Sequence, residues 1–516
     1  MNHYRLLFSI AIMASTLFSC QNAEKSKQEQ KAPNILYIMS DDHGYQAISA
    51  YDKQYINTPN IDRIANEGML FTNSFVTNSI CGPSRAVMLT GKHSHLNGYK
   101  VNRGAFDGSQ QTFPKLLQNA GYQTAMIGKW HLKSDPTGFD YWNILPGQGA
   151  YYNPDFIEMG VKSRHEGYAP FVTTDIAINW LENKRDKSKP FCLLLHHKAV
   201  HRTWEPDSST FAEFSGKQFP VPDNYFDDYK GRDAAAAQKM SILKSDMDLA
   251  YDLKMEYEGV KSRFKWFRTH TGRMNEEQKA RWDEHYKAIQ KEFMDKNPQG
   301  KDLELWKYQR FMQDYLACVR SMDESIGEVL RYLDENGLAE NTIVIYTSDQ
   351  GFYLGEHGWF DKRFMYEQSM RTPLMMRYPN HIKAGTKCDK LVQNIDYAPT
   401  FLDLAGVTIP DDIQGVSLTP LWEEKNPKWR DALYYHYYEF PNEHMVKRHY
   451  GIRTDRYKLI HFYNDIDEWE FFDLQKDPDE MNNLYQNKDY AEVVKDLKER
   501  LVKLQEQYKD TDTSTY

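Results

Sequence analysis

The chain has 516 residues, of which 41% are hydrophobic and 27% charged, and a net charge of −9. That length holds a large core and predicts one large domain joined to a smaller one. The acidic balance excludes a general attraction to nucleic acid, so an anionic ligand needs a local basic pocket. Five cysteines at scattered positions argue against a disulfide framework, even in an exported protein.

In chain order, Arg5 and the apolar run over residues 6–18 form a targeting segment too short to cross a membrane as a helix. Leu17-Phe18-Ser19-Cys20 resembles a bacterial lipobox, so residues 1–20 are expected to be a lipoprotein signal peptide and Cys20 the lipidated residue. An ordinary secretory signal is the alternative. The stretch 21–33 reads as a flexible tether. The expected location is the periplasm or cell surface of a Gram-negative bacterium, with membrane contact only through the lipid anchor.

Residues 34–40 form a continuous apolar run, as a buried parallel strand requires, and Asp41-Asp42-His43-Gly44 follows at once. In open α/β sheets ligand sites form beyond the C-terminal strand ends. Adjacent carboxylates there repel one another unless a cation lies between them; a surface turn is the plainer reading. Thr58-Pro59 opens a helix, and residues 71–76 read as a strand leading to Cys81. Cys81-Gly82-Pro83-Ser84-Arg85 then enters a helix that Gly91 ends. A helix N-terminus favours a negative group on residue 81 or an anion beside it, with Arg85 one turn along. A buried, inert cysteine is the alternative.

Residues 112–120 read as a helix ended by Gly121, and 122–127 as a strand before Gly128-Lys129-Trp130-His131. Lys129 and His131, two apart at a strand end, point to one side. Residues 168–184 look helical, and the strand 190–195 ends in His196-His197-Lys198-Ala199-Val200-His201. Three histidines invite zinc, but a fourth ligand and a standard spacing are missing. Residues 231–307 read as a helical insertion, with helices over 234–237, 239–267 and 276–293, that shapes a pocket rim or stands in solvent. A long amphipathic helix over 308–335 precedes the strand 342–348, which runs into Asp349-Gln350. Oxygen donors at two strand ends suit Ca²⁺ or Mg²⁺. The glycine-punctuated stretch 351–367, with Asp361, Lys362, Arg363 and Glu367, is a candidate active-site loop. Beyond residue 421 the chain turns to short aromatic strands (433–439, 450–454, 457–462, 470–474) and a helix over 490–508. Arg448 and His449 precede one of these strands, within reach of the pocket.

Cys81-x-Pro83-Ser84-Arg85 with Leu89-Thr90-Gly91-Lys92, and Gly121-Tyr122-x-Thr124 through Ile127-Gly128-Lys129-Trp130-His131, resemble the two signatures of the type I sulfatases. The resemblance implies an α/β, alkaline-phosphatase-like sulfatase fold: a large mixed sheet flanked by helices, plus a small C-terminal antiparallel sheet with a helix. It implies a catalytic domain over 34–420 and an α+β subdomain over 421–516. It implies that a formylglycine-generating maturation enzyme oxidises Cys81 to formylglycine, whose hydrate is the nucleophile. Ca²⁺ would be held by Asp41, Asp42, Asp349, Gln350 and residue 81; Gln350 stands where the family often has Asn. Arg85, Lys129 and Lys362 would neutralise the sulfate, with Lys198 touching it. His131 would assist the diol, and His201 would protonate the leaving oxygen, with Val200 where Pro is common.

The runs Trp359-Phe360-Asp361-Lys362-Arg363-Phe364-Met365-Tyr366-Glu367 and Arg448-His449-Tyr450-Gly451-Ile452-Arg453-Thr454 look like bacterial N-acetylglucosamine-6-O-sulfatases. That implies an exo-type enzyme acting on a sulfated oligosaccharide, releasing 6-O-sulfate from N-acetylglucosamine in host glycans such as heparan sulfate. Asp361, Arg363 and His449 would bind the terminal sugar. Other readings are a sulfatase for another sugar position, a phosphonate or phosphate monoesterase of the same superfamily, and a non-catalytic glycan-binding lipoprotein.

Overall fold

The strand Asn34–Ser40 is wholly buried, and its side chains alternate between two cores: Leu36 and Ile38 face one, Ile35, Tyr37 and Met39 the other. That is why the run is apolar throughout: helices cover both faces of its sheet. In the computed structural model residues 32–423 and 427–511 are described. The signal peptide, Cys20 and residues 21–31 of the tether lie outside them.

The sheet has ten strands. In spatial order they are Thr386–Cys388, Met69–Phe71, Leu374–Arg377, Thr342–Ser348, Asn34–Ser40, Phe191–His196, Gln123–Lys129, Tyr141–Leu145, Asp155–Glu158 and Val161–Arg164. The five from Thr342–Ser348 to Tyr141–Leu145 run parallel, so their C-terminal ends share one edge. Helices Pro59–Asn66, Ala169–Asn179 and Gly300–Glu335 pack on one face. Helices Cys81–Thr90, Phe113–Asn119 and Tyr397–Leu404 pack on the other.

Strands Ala432–Tyr437, His449–Thr454, Tyr457–Phe462 and Glu468–Asp473 form a separate antiparallel sheet. Helix Ala491–Tyr508 covers one face through Val494, Leu497 and Leu501. The other face, with Leu433, Tyr435, Ile460 and Phe472, packs against Tyr353, Trp359, Phe364 and Tyr366. The small sheet therefore buttresses the loop that carries Asp361, Lys362 and Arg363.

Three expectations need correction. The stretch 71–76 is two strands, Met69–Phe71 and Ser74–Phe75, which pair in different sheets. Within the 168–184 segment only Ala169–Asn179 is α-helix, and a wider turn over Trp180–Lys184 follows. The stretch 239–267 is not helical; the helices of the insertion are Asp233–Ala237 and Glu276–Lys296. Aspartates there bind backbone N–H groups that a helix would need: Asp246 accepts from Ser241, Asp248 from Tyr251 and Arg263, and Asp252 from Asp248. Such local bonds compete with helix formation, and they leave Met240, Ile242, Met247, Leu253 and Met255 free to enter the core at irregular intervals.

Candidate active site

The helix over Cys81–Thr90 starts at Cys81 and closes at Gly91, whose φ of 64° is the left-handed geometry that glycine adopts without strain. All ten of its residues are buried. The helix is tied to the sheet's functional edge from its first turn. The Ser84 hydroxyl donates to the Asp349 carbonyl. Arg85 donates to Asp349 Oδ2 through Nε at 3.1 Å and Nη2 at 2.8 Å, and to the Lys129 carbonyl at 2.7 Å. One guanidinium thus joins two strand ends. Gly128 permits this crowding, since a Cβ there would lie 1.9 Å from the His196 carbonyl oxygen.

At that edge Asp41, Asp42, Cys81 and Asp349 each offer an atom within 4.8 Å of the others. Cations ring the group. Lys129 Nζ contacts Asp41, and Lys362 Nζ bonds both oxygens of Asp42 at 2.6 and 2.8 Å. Gln350 Nε2 contacts Asp42 and lies 3.9 Å from Cys81 Sγ. Two buried oxygens in this cluster, Asp41 Oδ1 and Gln350 Oε1, have no hydrogen-bond partner among the described residues. Buried polar atoms are normally satisfied, so the oxygens of Asp41, Asp42, Asp349 and Gln350, two of them open acceptors, fit a hard divalent cation of the Ca²⁺ or Mg²⁺ type; the soft donor in the group is the Cys81 thiol. The 196–201 histidines go different ways: His196 Nδ1 lies 3.3 Å from Arg85 Nη1, both ring nitrogens of His197 are buried with no hydrogen-bond partner among the described residues, and His201 stands with Asp41 and Cys81.

His201 Nδ1 bonds the Arg202 carbonyl at 2.6 Å, which leaves Nε2 facing the cluster, 3.8 Å from Asp42 Oδ2. His131 Nδ1 is buried and unpartnered. Burial, then the nearby Lys129 charge, holds both imidazoles well below the usual histidine range. Burial also lowers Lys129 far below an ordinary lysine and raises the Cys81 thiol, so residue 81 as a thiol is a poor nucleophile. Burial opposes the charge on Lys362, but Asp42, Cys81 and Asp361 outweigh it and hold the ammonium above the usual value. Asp42, His131, Asp361 and Arg363 all have positive φ, between 57° and 99°; non-glycine residues held there concentrate at functional sites.

Asp361 and Arg363 do meet, at 3.3 Å, and Arg363 Nη1 also binds Glu439 at 3.0 Å. His449 is a correction. It is fully buried, its Nε2 accepts from the Met365 N–H at 3.1 Å and its Nδ1 bonds the Lys447 carbonyl at 2.8 Å. Phe364 and Tyr435 stack on its ring, so it supports the loop from below and has no free atom for a ligand. Arg448 turns to Asp465. The histidine that reaches Asp361 is His444, at 3.4 Å. Neither His444 nor Glu439 carries a sequence signal. Gln148, whose side chain contacts Lys129, had one: the turn Pro146-Gly147-Gln148-Gly149 after the last parallel strand.

Residues 33–407 match the family described as Sulfatase, and residues 355–507 the one described as N-sulphoglucosamine sulphohydrolase, C-terminal. The chain belongs to the sulfatase family. One relative, the N-acetylglucosamine-6-O-sulfatase of Bacteroides thetaiotaomicron, is 52% identical over 511 residues, covering 98% of this chain and 91% of the relative. A solved structure of a protein in complex with its substrate D-glucosamine-2-N,6-O-disulfate matches with a TM-score of 0.90 at 53% identity, over 93% of this sulfatase and 99% of that chain. The phosphonate monoester hydrolase of Agrobacterium radiobacter matches with a TM-score of 0.68 at 20% identity, over 92% and 96% of the two chains, a likeness of fold alone.

Proposed function

We propose that this sulfatase hydrolyses 6-O-sulfate esters of glucosamine-type sugars at the ends of glycan chains such as heparan sulfate. The observation that carries the reading is the convergence of residue 81, three carboxylates and three cationic side chains on one sheet edge. The choice of sugar is supported by the relative's name and by the ligand of the matching structure. We further propose formylglycine at residue 81, made from Cys81 by a maturation enzyme, and Ca²⁺ held by Asp41, Asp42, Asp349, Gln350 and residue 81. Oxidised residue 81 supplies a nucleophile that the buried thiol cannot, and the cation supplies charge for the sulfate oxygens.

The chain's own side chains do the rest. Arg85 holds Asp349 in place, while Lys129 and Lys362 face the ester's negative oxygens. His201 presents Nε2 to the departing sugar oxygen; Nδ1–H is fixed on the Arg202 carbonyl, so Nε2 first takes up a proton when the bound ester's negative charge favours the imidazolium, and then gives that proton to the leaving oxygen. His131 Nδ1, neutral and without a partner, is placed to take the proton of the second oxygen on residue 81 when sulfate leaves. Asp361 and Arg363, braced by Glu439 and His444, present an acidic and a basic group side by side, a pairing that suits adjacent ring hydroxyls.

The remaining parts of the proposal are a catalytic domain over 34–420, a C-terminal subdomain from 421, and export with lipidation at Cys20. Two measurements test the core of it. Sulfate release is compared across N-acetylglucosamine 6- and 3-O-sulfates, glucosamine N-sulfate and a phosphate ester; 6-sulfate should lead, and equal or faster phosphate turnover would refute the assignment. Mass spectrometry of the Cys81 peptide from the native host should show the aldehyde in place of the thiol.

A further inference from the structure

The cleft continues past the reaction centre. A cavity of about 410 Å³ opens beyond His201, lined among others by Gln148, Lys198, Trp266, Arg268 and Arg273. Its inner end is joined to the reacting groups, since Gln148 contacts Lys129 and His201 Nε2 lies 3.8 Å from Asp42. Neither Asp361 nor Arg363, the residues assigned to the sulfated ring, lines it. It is larger than a sulfate needs and within the range of about 300–1,000 Å³ typical of small-molecule sites.

Two features of its wall point to a ligand. The first is Trp266, which is 63% exposed. A lone exposed indole is unremarkable, but this one is propped by Tyr251 and Phe264, with ring centres at 5.0 and 5.4 Å. Those two rings in turn cover the Arg202 guanidinium at 5.2 Å each, and Asp252 holds that guanidinium with bonds of 2.6 and 2.8 Å. The insertion is thus locked to the residue after His201, and it holds out a preformed aromatic face of the amphipathic kind that packs on a sugar ring. The second is Lys198. It is only 5% exposed, and its ammonium sits 4.4 Å over the Tyr151 ring with no hydrogen bond or ion pair to any described residue. The acid that acts on it most strongly, Glu205, is already engaged by His270 at 2.9 Å and Thr203 at 2.8 Å. A buried cation without an anion is costly, and burial pulls its pKa down to about 8. Exposed Arg268 adds a second cation at the mouth.

We propose that this cavity is a second sugar subsite, which stacks the ring next to the sulfated residue on Trp266 and receives that ring's anionic substituent, a carboxylate or a sulfate, at Lys198. The assignment rests on the 6-O-sulfatase reading above. The subsite makes the sulfatase selective for acidic chains over isolated or neutral sugars, and it gives the irregular stretch 239–267 a purpose.

The test compares kcat/KM of the full chain on four substrates: 6-sulfated N-acetylglucosamine alone, and the same sugar linked to a uronic acid, to a sulfated hexose or to a neutral hexose. The expected result is a preference of about 10-fold or more for one or both acidic disaccharides over the neutral one; which arm leads identifies the anion. Trp266→Ala should lower the disaccharide-to-monosaccharide ratio about 10-fold, Trp266→Phe should keep most of it, and Lys198→Gln should erase the acidic-over-neutral preference. Equal turnover of acidic and neutral disaccharides, or a Trp266→Ala loss shared equally by all four, overturns the subsite. Saturation-transfer NMR with the unsulfated acidic disaccharide reads the same pocket without turnover. Binding weakened by Trp266→Ala supports the subsite even if the hydrolysed ester is a different one, and binding unaffected by it overturns the subsite while leaving the 6-O-sulfatase reading intact.

Discussion

Two of the buried clusters of opposite charges among the described residues are built for different ends. At the foot of the small sheet, Glu367 is held by Lys458 at 2.9 Å and by Arg453 at 3.2 and 3.3 Å. Glu480 bonds the same Lys458 at 2.7 Å and accepts the Glu367 N–H at 2.7 Å. Every carboxylate oxygen there has a partner. At the edge of the large sheet Asp41, Asp42 and Asp349 meet Arg85, Lys129 and Lys362, yet Asp41 Oδ1, Gln350 Oε1 and His131 Nδ1 are left over. Burial and charge are common to both clusters. Of these two, the cluster that takes the substrate is the one with an unsatisfied remainder; since Glu470 Oε1 is also left over elsewhere, such an atom points to function only where it lies at the sheet's ligand edge.

The comparison can be broken in several ways. The largest effect is expected for Cys81→Ala, which should cut sulfate release more than 1,000-fold in a steady-state assay while leaving the melting curve close to wild type. Lys458→Met, in the closed cluster, should do the reverse. It strands two carboxylates, so it should cost about 3–5 kcal/mol in denaturant unfolding, with kcat of the folded fraction unchanged. A loss of kcat at full stability would show that the second cluster is also functional.

Beside that cluster, Glu470 accepts from Tyr366 at 2.8 Å and faces Arg232, Glu468 and Glu480. Burial, then Glu468, lifts its pKa from 4.5 to about 8. A carboxyl raised in the folded state favours folding below its unfolded pKa, and that contribution is lost as pH rises through the folded one. Wild type should therefore lose stability relative to Glu470→Gln between pH 4.5 and 8, by at most about 5 kcal/mol. Parallel pH–stability curves for the two proteins would contradict this. The smallest effect on stability should come from the cation. Ca²⁺ at about 100 times its dissociation constant should raise stability by about 2.7 kcal/mol. Asp41→Asn should remove that increment, and Lys458→Met should not.

Much of the reaction centre was legible before any folding. Apolar runs over 34–40, 122–127, 190–195 and 342–348 mark buried strands because both faces of each need covering, and each ends in Asp, Lys or His because a parallel sheet places ligand groups at that edge. Cys81 stood out because a helix start supplies unpaired N–H groups at residue 81. His449, by contrast, read as a pocket residue from its place before a strand, but the sheet's pairing turned it inward onto Met365 and a bed of aromatic rings. The stretch 239–267 had helix-favouring composition, yet its aspartates bound the local backbone first.

By itself, then, the amino-acid sequence determined the strand runs, the helix that begins at Cys81 and the family to which the chain belongs, since these depend on neighbours within a few residues. Only the tertiary structure decided which atoms meet. Gln148 at Lys129, His444 at Asp361 and Trp266 beside the His201 loop are contacts between distant segments. They depend on strand order, on register and on loops shaped by packing, none of which any local pattern of residues contains.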